Sequence, residues 1–369
     1  MATLSQIALT FTPGLGNTSV RRLVETYPDE DIFSLPKSEL TAAFGEHRDI
    51  ADNILNKSGF HRAEEELRFC ERNGIRPLFF TDDGYPRRLN LAETQDCPAL
   101  LYVMGQADLN AERTVSIVGT RRSTAQGRDN TDRLVRDLKP YNTPIVSGLA
   151  YGIDTAAHTA ALDHGLPTVA VLGHGLDRIY PPENRSLAKR ILDAGGALVT
   201  EYPNGTAIHP SYFPARNRII AALGDTTVVV EASEKGGALI TAAIAASYQR
   251  DVFALPGRLT DTYSRGCNNL IATNRALLLR TADDIAFQLG WPLIGKQLAI
   301  AEAENAVRLT ALEQRTVDLL HDYDCLTLDE VARHLDTSLP KAAALMFNLE
   351  MQQLVRTLPG HLYQAVRGC

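Results

Sequence analysis

One feature limits the fold more than any other. Between residues 75 and 290 nine short apolar runs alternate with helical segments: Pro77–Phe80, Ala99–Met104, Thr114–Val118, Pro144–Ser147, Thr168–Leu172, Ala197–Thr200, Thr226–Glu231, Asp251–Ala254 and Ala276–Leu279. Several are apolar without a break, as strands covered on both faces must be. This alternation predicts a wound, mostly parallel α/β sheet. Among the intervening helices, Gly237–Gln249 is Ala-rich and apolar nearly all round, and Trp291-Pro292 closes the region.

The flanks follow other patterns. Residues 1–72 read as a helical domain: a short helix over Leu4–Thr10, the turn Pro13-Gly14-Leu15-Gly16, then a helix capped by Asn17 with Val20, Leu23, Val24 and Tyr27 on one face. Residues 291–305 read as a linker. Residues 306–369 predict three helices, about Leu309–Tyr323, one carrying Leu328, Val331 and Leu335, and one begun by Thr337 or Ser338 that carries Ala342, Leu345 and Leu349. Two extended pieces then flank Pro359-Gly360, which is the winged-helix pattern.

Apolar residues make up 44% and charged residues 22%, so the chain can bury cores and is not of disordered composition. No apolar run approaches the ~18–20 residues of a membrane span. Met-Ala-Thr-Leu-Ser-Gln at the N-terminus lacks the basic-then-apolar order of a secretory signal. Cys70, Cys97, Cys267, Cys325 and Cys369 are scattered without a CxxC pair, which argues against a zinc ribbon or a disulfide framework. A cytoplasmic protein without a metal or cofactor is expected. The net charge of −7 excludes a generally basic binder but leaves room for a local basic patch.

Such patches lie where the strands end. Val115–Val118 runs into Gly119-Thr120-Arg121-Arg122-Ser123-Thr124, the place where a dinucleotide enzyme carries GxGxxG. Arg121 stands at the second glycine and blocks the close backbone approach of a pyrophosphate, which argues against NAD or FAD. Residues 113–128 hold four arginines, Arg128 among them, and no acid, and arginine forks match phosphates. The next strand end, Ser147-Gly148-Leu149-Ala150-Tyr151-Gly152-Ile153-Asp154, offers further donors. Residues 178–190 hold Arg178, Arg185, Lys189 and Arg190 against one acid; Phe213-Pro214-Ala215-Arg216-Asn217-Arg218 and Ser233-Glu234-Lys235-Gly236-Gly237 follow. So many loops of this kind at one sheet edge predict an extended anionic ligand. Tyr151, Tyr180, Tyr202, Tyr212 and Phe213 are interleaved with them, and single-stranded nucleic acid is held by a basic groove with aromatic faces. Packing against the sheet is the competing role of each ring. The Pro13–Gly16 turn is open to two readings, a phosphate-binding helix-hairpin-helix element and a plain glycine turn.

Catalytic constellations are poor. His158, His164, His174 and His209 show no metal-ligand spacing, and His158 is expected to pair with Asp154 one helical turn away. There is neither a GxSxG elbow nor a GxxxxGK[ST] loop. Asp225 and Glu231 bracket a strand with no evident acid partner.

Taken together, Gly119-Thr120-Arg121…Gly127-Arg128, Ser147–Asp154, Tyr180-Pro181…Asn184, Phe213-Pro214…Arg216-Asn217-Arg218-Ile219-Ile220 and Glu231-Ala232…Gly237–Ala242 resemble the DprA/Smf (DNA-processing protein A) family. Tyr85-Pro86…Leu89 followed by Cys97–Tyr102 does too, and the resemblance runs through residues 85–285 in consistent order. It implies an extended Rossmann-like domain over 75–290, an N-terminal helical domain of helix-hairpin-helix or SAM-like type, and a C-terminal winged helix. It implies a non-enzymatic mediator of natural transformation and DNA recombination that binds and protects incoming single-stranded DNA, overcomes single-strand-binding protein (SSB), loads the RecA recombinase and forms a homodimer through the central domain. Double-stranded DNA is left open as a further ligand. By position, the DNA-binding residues are Gly119, Thr120, Arg121, Arg122, Ser123, Arg128, Ser147, Gly148, Tyr151, Arg185, Lys189, Phe213, Arg216, Asn217, Arg218, Gly236 and Gly237. Pro182 and Pro210 stand where members often carry lysines, with Arg185 or Lys189 as substitutes, and Tyr151 stands at a position more often basic. This pattern shifts weight from charge to stacking.

The alternatives are a small-nucleotide sensor and a phosphoribohydrolase-like enzyme using the same pocket. The hydrolase signature PGGxGTxxE is met here by Glu234-Lys235-Gly236-Gly237-Ala238-Leu239, without the following glutamate.

Overall fold

The computed structural model describes residues 2–28, 30–45, 48–91, 97–292, 309–323, 325–352, 354–358 and 362–365. The chain divides into two compact units, Met1–Ile294 and Gly295–Cys369.

The first unit opens with helices α1 (Leu4–Phe11), α2 (Asn17–Thr26), α3 (Lys37–Phe44), α4 (Arg48–Leu55) and α5 (Phe60–Arg72). Then come β1 (Ile75–Phe79), α6 (Arg87–Leu91), β2 (Leu100–Gly105), β3 (Val115–Val118), α7 (Ala125–Leu138), β4 (Ile145–Ser147), α8 (Ile153–Asp163), β5 (Thr168–Val171), α9 (Arg185–Asp193) and β6 (Ala197–Thr200). The unit continues through α10 (Tyr212–Leu223), β7 (Thr226–Val229), α11 (Gly237–Ser247), β8 (Asp251–Ala254), α12 (Arg265–Ala272), β9 (Leu277–Leu278) and α13 (Ala282–Gln288). Every strand expected from the sequence is present, shifted by at most a few residues.

The nine strands form one sheet in the order β1-β2-β6-β5-β4-β3-β7-β8-β9. From β6 to β9 the pairings are parallel, while β2 joins β6 and β1 joins β2 antiparallel. The chain winds outward from β3 to β6, then returns through α10 to lay β7 on the other side of β3. The carboxyl ends of β3 and β7 therefore flank the topological switch point, where open α/β sheets bind ligands.

Burial explains the apolar runs. Val115, Ile117, Ile145 and Val228 are covered on one face together with Leu134, Ile153 and Ile285. The other core runs from Leu101, Val146 and Val199 into Ile7, Leu40 and Ile54, so the helices of residues 1–72 share a core with the sheet. Asn17 corrects its expected role: Gly16 is the N-cap of α2, and the Asn17 side chain accepts the Ala99 N–H at 3.0 Å just before β2. In the turn before it, Gly14 has φ +90°, and a Cβ there would stand 2.8 Å from Ile50 Cγ1.

The second unit contains α14 (Ala311–Asp322), β10 (Leu326–Thr327), α15 (Leu328–His334), α16 (Leu339–Met351), β11 (Val355–Leu358) and β12 (Leu362–Ala365), the strands pairing in the order β10-β12-β11. Thr310 and Thr327 close capping boxes with Glu313 and Glu330, which fix where α14 and α15 begin. β10 was not expected, because two residues are too few to show an alternation. Pro359-Gly360 and most of the 291–305 linker lie outside the described residues. Val317, Leu320, Val331, Met346 and Leu349 form this unit's core.

Candidate nucleic-acid interface

The loop after β3 is held by a carboxylate from β7's end. The Glu231 carbonyl accepts the Thr120 N–H at 2.7 Å. Its carboxylate accepts the Thr124 hydroxyl at 2.6 Å and the Thr124 N–H at 3.0 Å, while Thr124 caps α7 by accepting the Gly127 N–H. A Cβ on Gly127 would stand 2.3 Å from that carboxylate, so the glycine makes room for it. Gly119-Thr120-Arg121 is thereby fixed beside the start of α11 at Gly236-Gly237. Between them, with Phe213, Asn217 and Ile220 of α10, opens a cavity of about 220 Å³. The helix start aims its N–H groups and positive dipole end into the same space.

Asp154 and Arg216 also line this cavity, and both are nearly buried. Arg216 Nη1 donates to the Gly148 carbonyl at 2.5 Å and to the Val171 carbonyl. Burial lowers the guanidinium's pKa to about 10, with Asp154 opposing the shift. Burial likewise raises the Asp154 carboxyl, against the pull of Arg216 and the Ala150 N–H. The pair forms a charged floor, and Arg216 ties the ends of β4 and β5 to α10.

The structure gives several of the expected residues partners within the protein. Ser147 is fully buried and donates its hydroxyl to the Ile117 carbonyl at 2.7 Å, so it is spent inside the sheet. Gly148 is buried against Arg216, and Arg216 itself is turned to main-chain carbonyls. Arg218 forms a two-pronged ion pair with Glu201, with one contact at 2.6 Å and both side chains about nine-tenths covered. The Ser147 hydroxyl, Arg216 Nη1 and the Arg218 guanidinium thus have partners within the protein, while Arg216, whose buried Nε has no hydrogen-bond partner, also lines the cavity. His158 does not pair with Asp154. Its Nδ1 lies 2.7 Å from Thr168 Oγ1, and burial pushes its pKa down to about 3. Asp225 has partners that sequence reading missed, since it accepts from Arg88 at 2.6 and 2.9 Å.

Other expected residues do face outward. Arg121 and Arg122 are exposed, and the Arg121 guanidinium sits 5.6 Å above the Phe213 ring. Arg128 donates to the Ser123 carbonyl at 3.0 Å, and the Thr120 hydroxyl accepts the Arg122 N–H. Arg185 and Lys189 are exposed on α9. The preceding Asn184 donates to the Leu149 carbonyl at 2.8 Å and to Thr155 Oγ1 at 3.0 Å, which brings the start of α9 beside the 149–155 loop.

Of the aromatic rings, Phe213 lines the cavity, and others adjoin it or one another. Tyr180 and Phe213 lie 5.7 Å apart, and Tyr202 stacks on Tyr212 at 4.5 Å. The exposed Tyr151 donates its hydroxyl to Glu183 at 2.5 Å, which pushes the phenol up to about 12 and lowers the Glu183 carboxyl.

Residues 76–290 match the family model for DNA recombination-mediator protein A, and residues 301–361 match the DprA winged helix domain. Protein Smf of a Synechocystis strain is 32% identical over 95% of this chain and 96% of its own. DNA processing protein DprA of Streptococcus pneumoniae is 42% identical over 56% of this chain and 71% of its own. Among solved structures, DNA processing protein A (DprA) from Streptococcus pneumoniae superposes with a TM-score of 0.68 at 32% identity, covering 77% of this chain and 97% of that one. DNA processing protein A from Helicobacter pylori, described for its unique single-stranded DNA binding mode, gives 0.52 at 30% identity over 58% of this chain and 95% of its own.

Proposed function

The chain belongs to the DNA recombination-mediator protein A family, and we propose that it binds single-stranded DNA at the switch point of its nine-stranded sheet, without catalysis, and passes the strand to the RecA recombinase. One observation carries the reading: exposed Arg121, the glycine start of α11 and Phe213 line one cavity at the sheet's carboxyl edge, with exposed Arg122 next along the loop and the Tyr180 ring 5.7 Å from that of Phe213. Arginine forks and helix N–H groups suit phosphates, and ring faces suit bases. Thr120, Ser123, Arg128, Tyr151, Arg185, Lys189, Asn217, Gly236 and Gly237 complete the contact surface. Ser147, Gly148, Arg216 and Arg218 support it from beneath.

In this reading the bound strand is shielded from nucleases, SSB is displaced, and two copies of the chain act together in the cytoplasm. No described helix is long and apolar enough to cross a membrane.

The test is a mobility shift with single- and double-stranded oligonucleotides across a salt series. Three to five neutralised phosphates, at ~0.7 per phosphate, give a slope of log affinity against log salt of about −2 to −4. A flat response rejects strand binding and favours a small-ligand pocket. Release of adenine from AMP would reject the non-catalytic reading. RecA loading is measured separately, as the rate of RecA assembly on SSB-covered strands with and without the protein.

A further inference from the structure

We propose that Tyr202, Tyr212 and His209 form a base-stacking platform beside the switch-point cavity, held in place by Arg62 and Glu66 of α5. The proposal rests on the single-strand reading and extends its footprint. Tyr212 opens α10 directly before Phe213, the ring that carries the Arg121 guanidinium. From there the rings continue away from the cavity. Tyr212 stacks on Tyr202 with an interplanar angle of 28°, and the exposed His209 ring stands 5.5 Å from Tyr212. Both tyrosines are partly exposed. Partly exposed π faces in a row are what successive unpaired bases stack on, whatever their sequence.

The segment between Thr200 and Tyr212 has no regular structure of its own, and residues 207–211 are exposed. Left alone, such a loop would pay for its ordering each time a strand bound. Instead, α5 holds both main-chain polar groups of one of its residues. Arg62 Nη2 donates to the Asn204 carbonyl at 2.7 Å, and Glu66 Oε1 accepts the Asn204 N–H at 2.9 Å. Arg62 and Glu66 are themselves 2.8 Å apart, Glu66 is only 1% exposed, and the Arg62 guanidinium lies over the Phe11 ring. The loop also lies close against Gly175, where a Cβ would stand 2.6 Å from the Pro203 carbonyl. The clamp comes from the helical region, so these helices act on nucleic acid through the loop.

The test compares fluorescent oligothymidine with a strand of equal length whose bases are removed, using the full chain. Tyr202→Leu with Tyr212→Leu, and separately His209→Ala, should lower oligothymidine affinity about tenfold and leave the abasic strand unchanged. Arg62→Met should show the same selective loss without touching any ring of the trio. An Arg62 that bound phosphate would weaken both strands alike, and that result overturns the positioning role. If Arg62→Met lowers the melting temperature, the exposed His209→Ala decides: unchanged oligothymidine affinity overturns the platform. A wild-type chain that binds neither strand overturns the single-strand reading and the platform together. Normal wild-type binding with unaffected ring variants overturns the platform alone.

Discussion

Arg216 and Gly148 are fitted to each other: Nη1 of Arg216 donates to the Gly148 carbonyl at 2.5 Å, and a Cβ on Gly148 would lie 2.3 Å from that same nitrogen. The side chain that glycine lacks is replaced by a guanidinium from α10. Gly148→Ala must therefore displace either the guanidinium or the end of β4, at a cost of ~1–3 kcal/mol. Arg216→Met leaves Asp154 buried without its facing cation and removes a donor from two carbonyls, a loss of ~3–5 kcal/mol. Urea denaturation of both variants measures this. A midpoint unchanged in Arg216→Met would mean that the charged floor has no structural role.

Arg121 is the opposite case. It is exposed and lies only over the Phe213 ring, beside the start of α11. Arg121→Ala should weaken single-strand binding by ~1.5–3 kcal/mol, equally for all sequences, as expected for loss of a charged donor to phosphate. Its melting temperature should match the wild type. Equal affinity of the two proteins in a fluorescence titration would remove Arg121 from the interface.

Acid should destabilise the first unit partly through His158. Its pKa falls from an ordinary 6.5 to about 3 because burial penalises the cation. The unfolded chain thus binds a proton that the folded one refuses. Stability from this group is complete above pH 6.5 and is lost as pH falls toward 3, by at most ~1.4 kcal/mol per pH unit. His174, also lowered by burial, adds in the same direction. His158→Asn keeps an amide donor near the position of Nδ1 for Thr168 and has no proton to gain. Stability measured from pH 7 to pH 4.5 should fall less steeply in this variant, and parallel profiles would contradict the assignment.

The sheet was legible because its strands are short, apolar and set apart by helices, and the switch point followed once the loops with glycine and arginine lined up at strand ends. Depth was not legible. Ser147 closes a strand buried on both faces, where apolar runs carry no alternation to show which way a side chain points. Arg216 and Arg218 read as two more cations in a basic loop, because their partners, Gly148 and Glu201, are brought near only by the fold. The bond between Glu231 and Thr124 likewise joins residues 107 apart in sequence. Long-range polar pairs leave no periodic trace, so the sequence pattern marks the loops of the proposed site, and only the fold shows which of their side chains are exposed and which are held inside.

The winged helix should contribute little to strand affinity. Its third helix, α16, would be the groove-reading element of a double-strand binder. Residues 338–353 carry one lysine, Lys341, one acid, Glu350, and no arginine. Across 306–369 six basic residues face eight acidic ones, so counterion release on a phosphate backbone would yield little there. Beside exposed Lys341, Asn348 and Glu350, α16 presents large apolar side chains: Phe347 is 62% and Met351 71% accessible, while Met346 is in the core. Exposed apolar side chains of this size on a helix suit contact with protein better than with phosphate. The compact unit Met1–Ile294 already holds every residue assigned to the strand site. A 1–305 truncation should therefore keep most of the single-strand affinity, and the isolated 306–369 fragment should bind DNA weakly. Both fragments titrated against one labelled oligonucleotide at moderate salt decide the matter. Tight binding by 306–369, or lost binding by a 1–305 fragment whose circular dichroism shows it folded, would move part of the interface onto the winged helix.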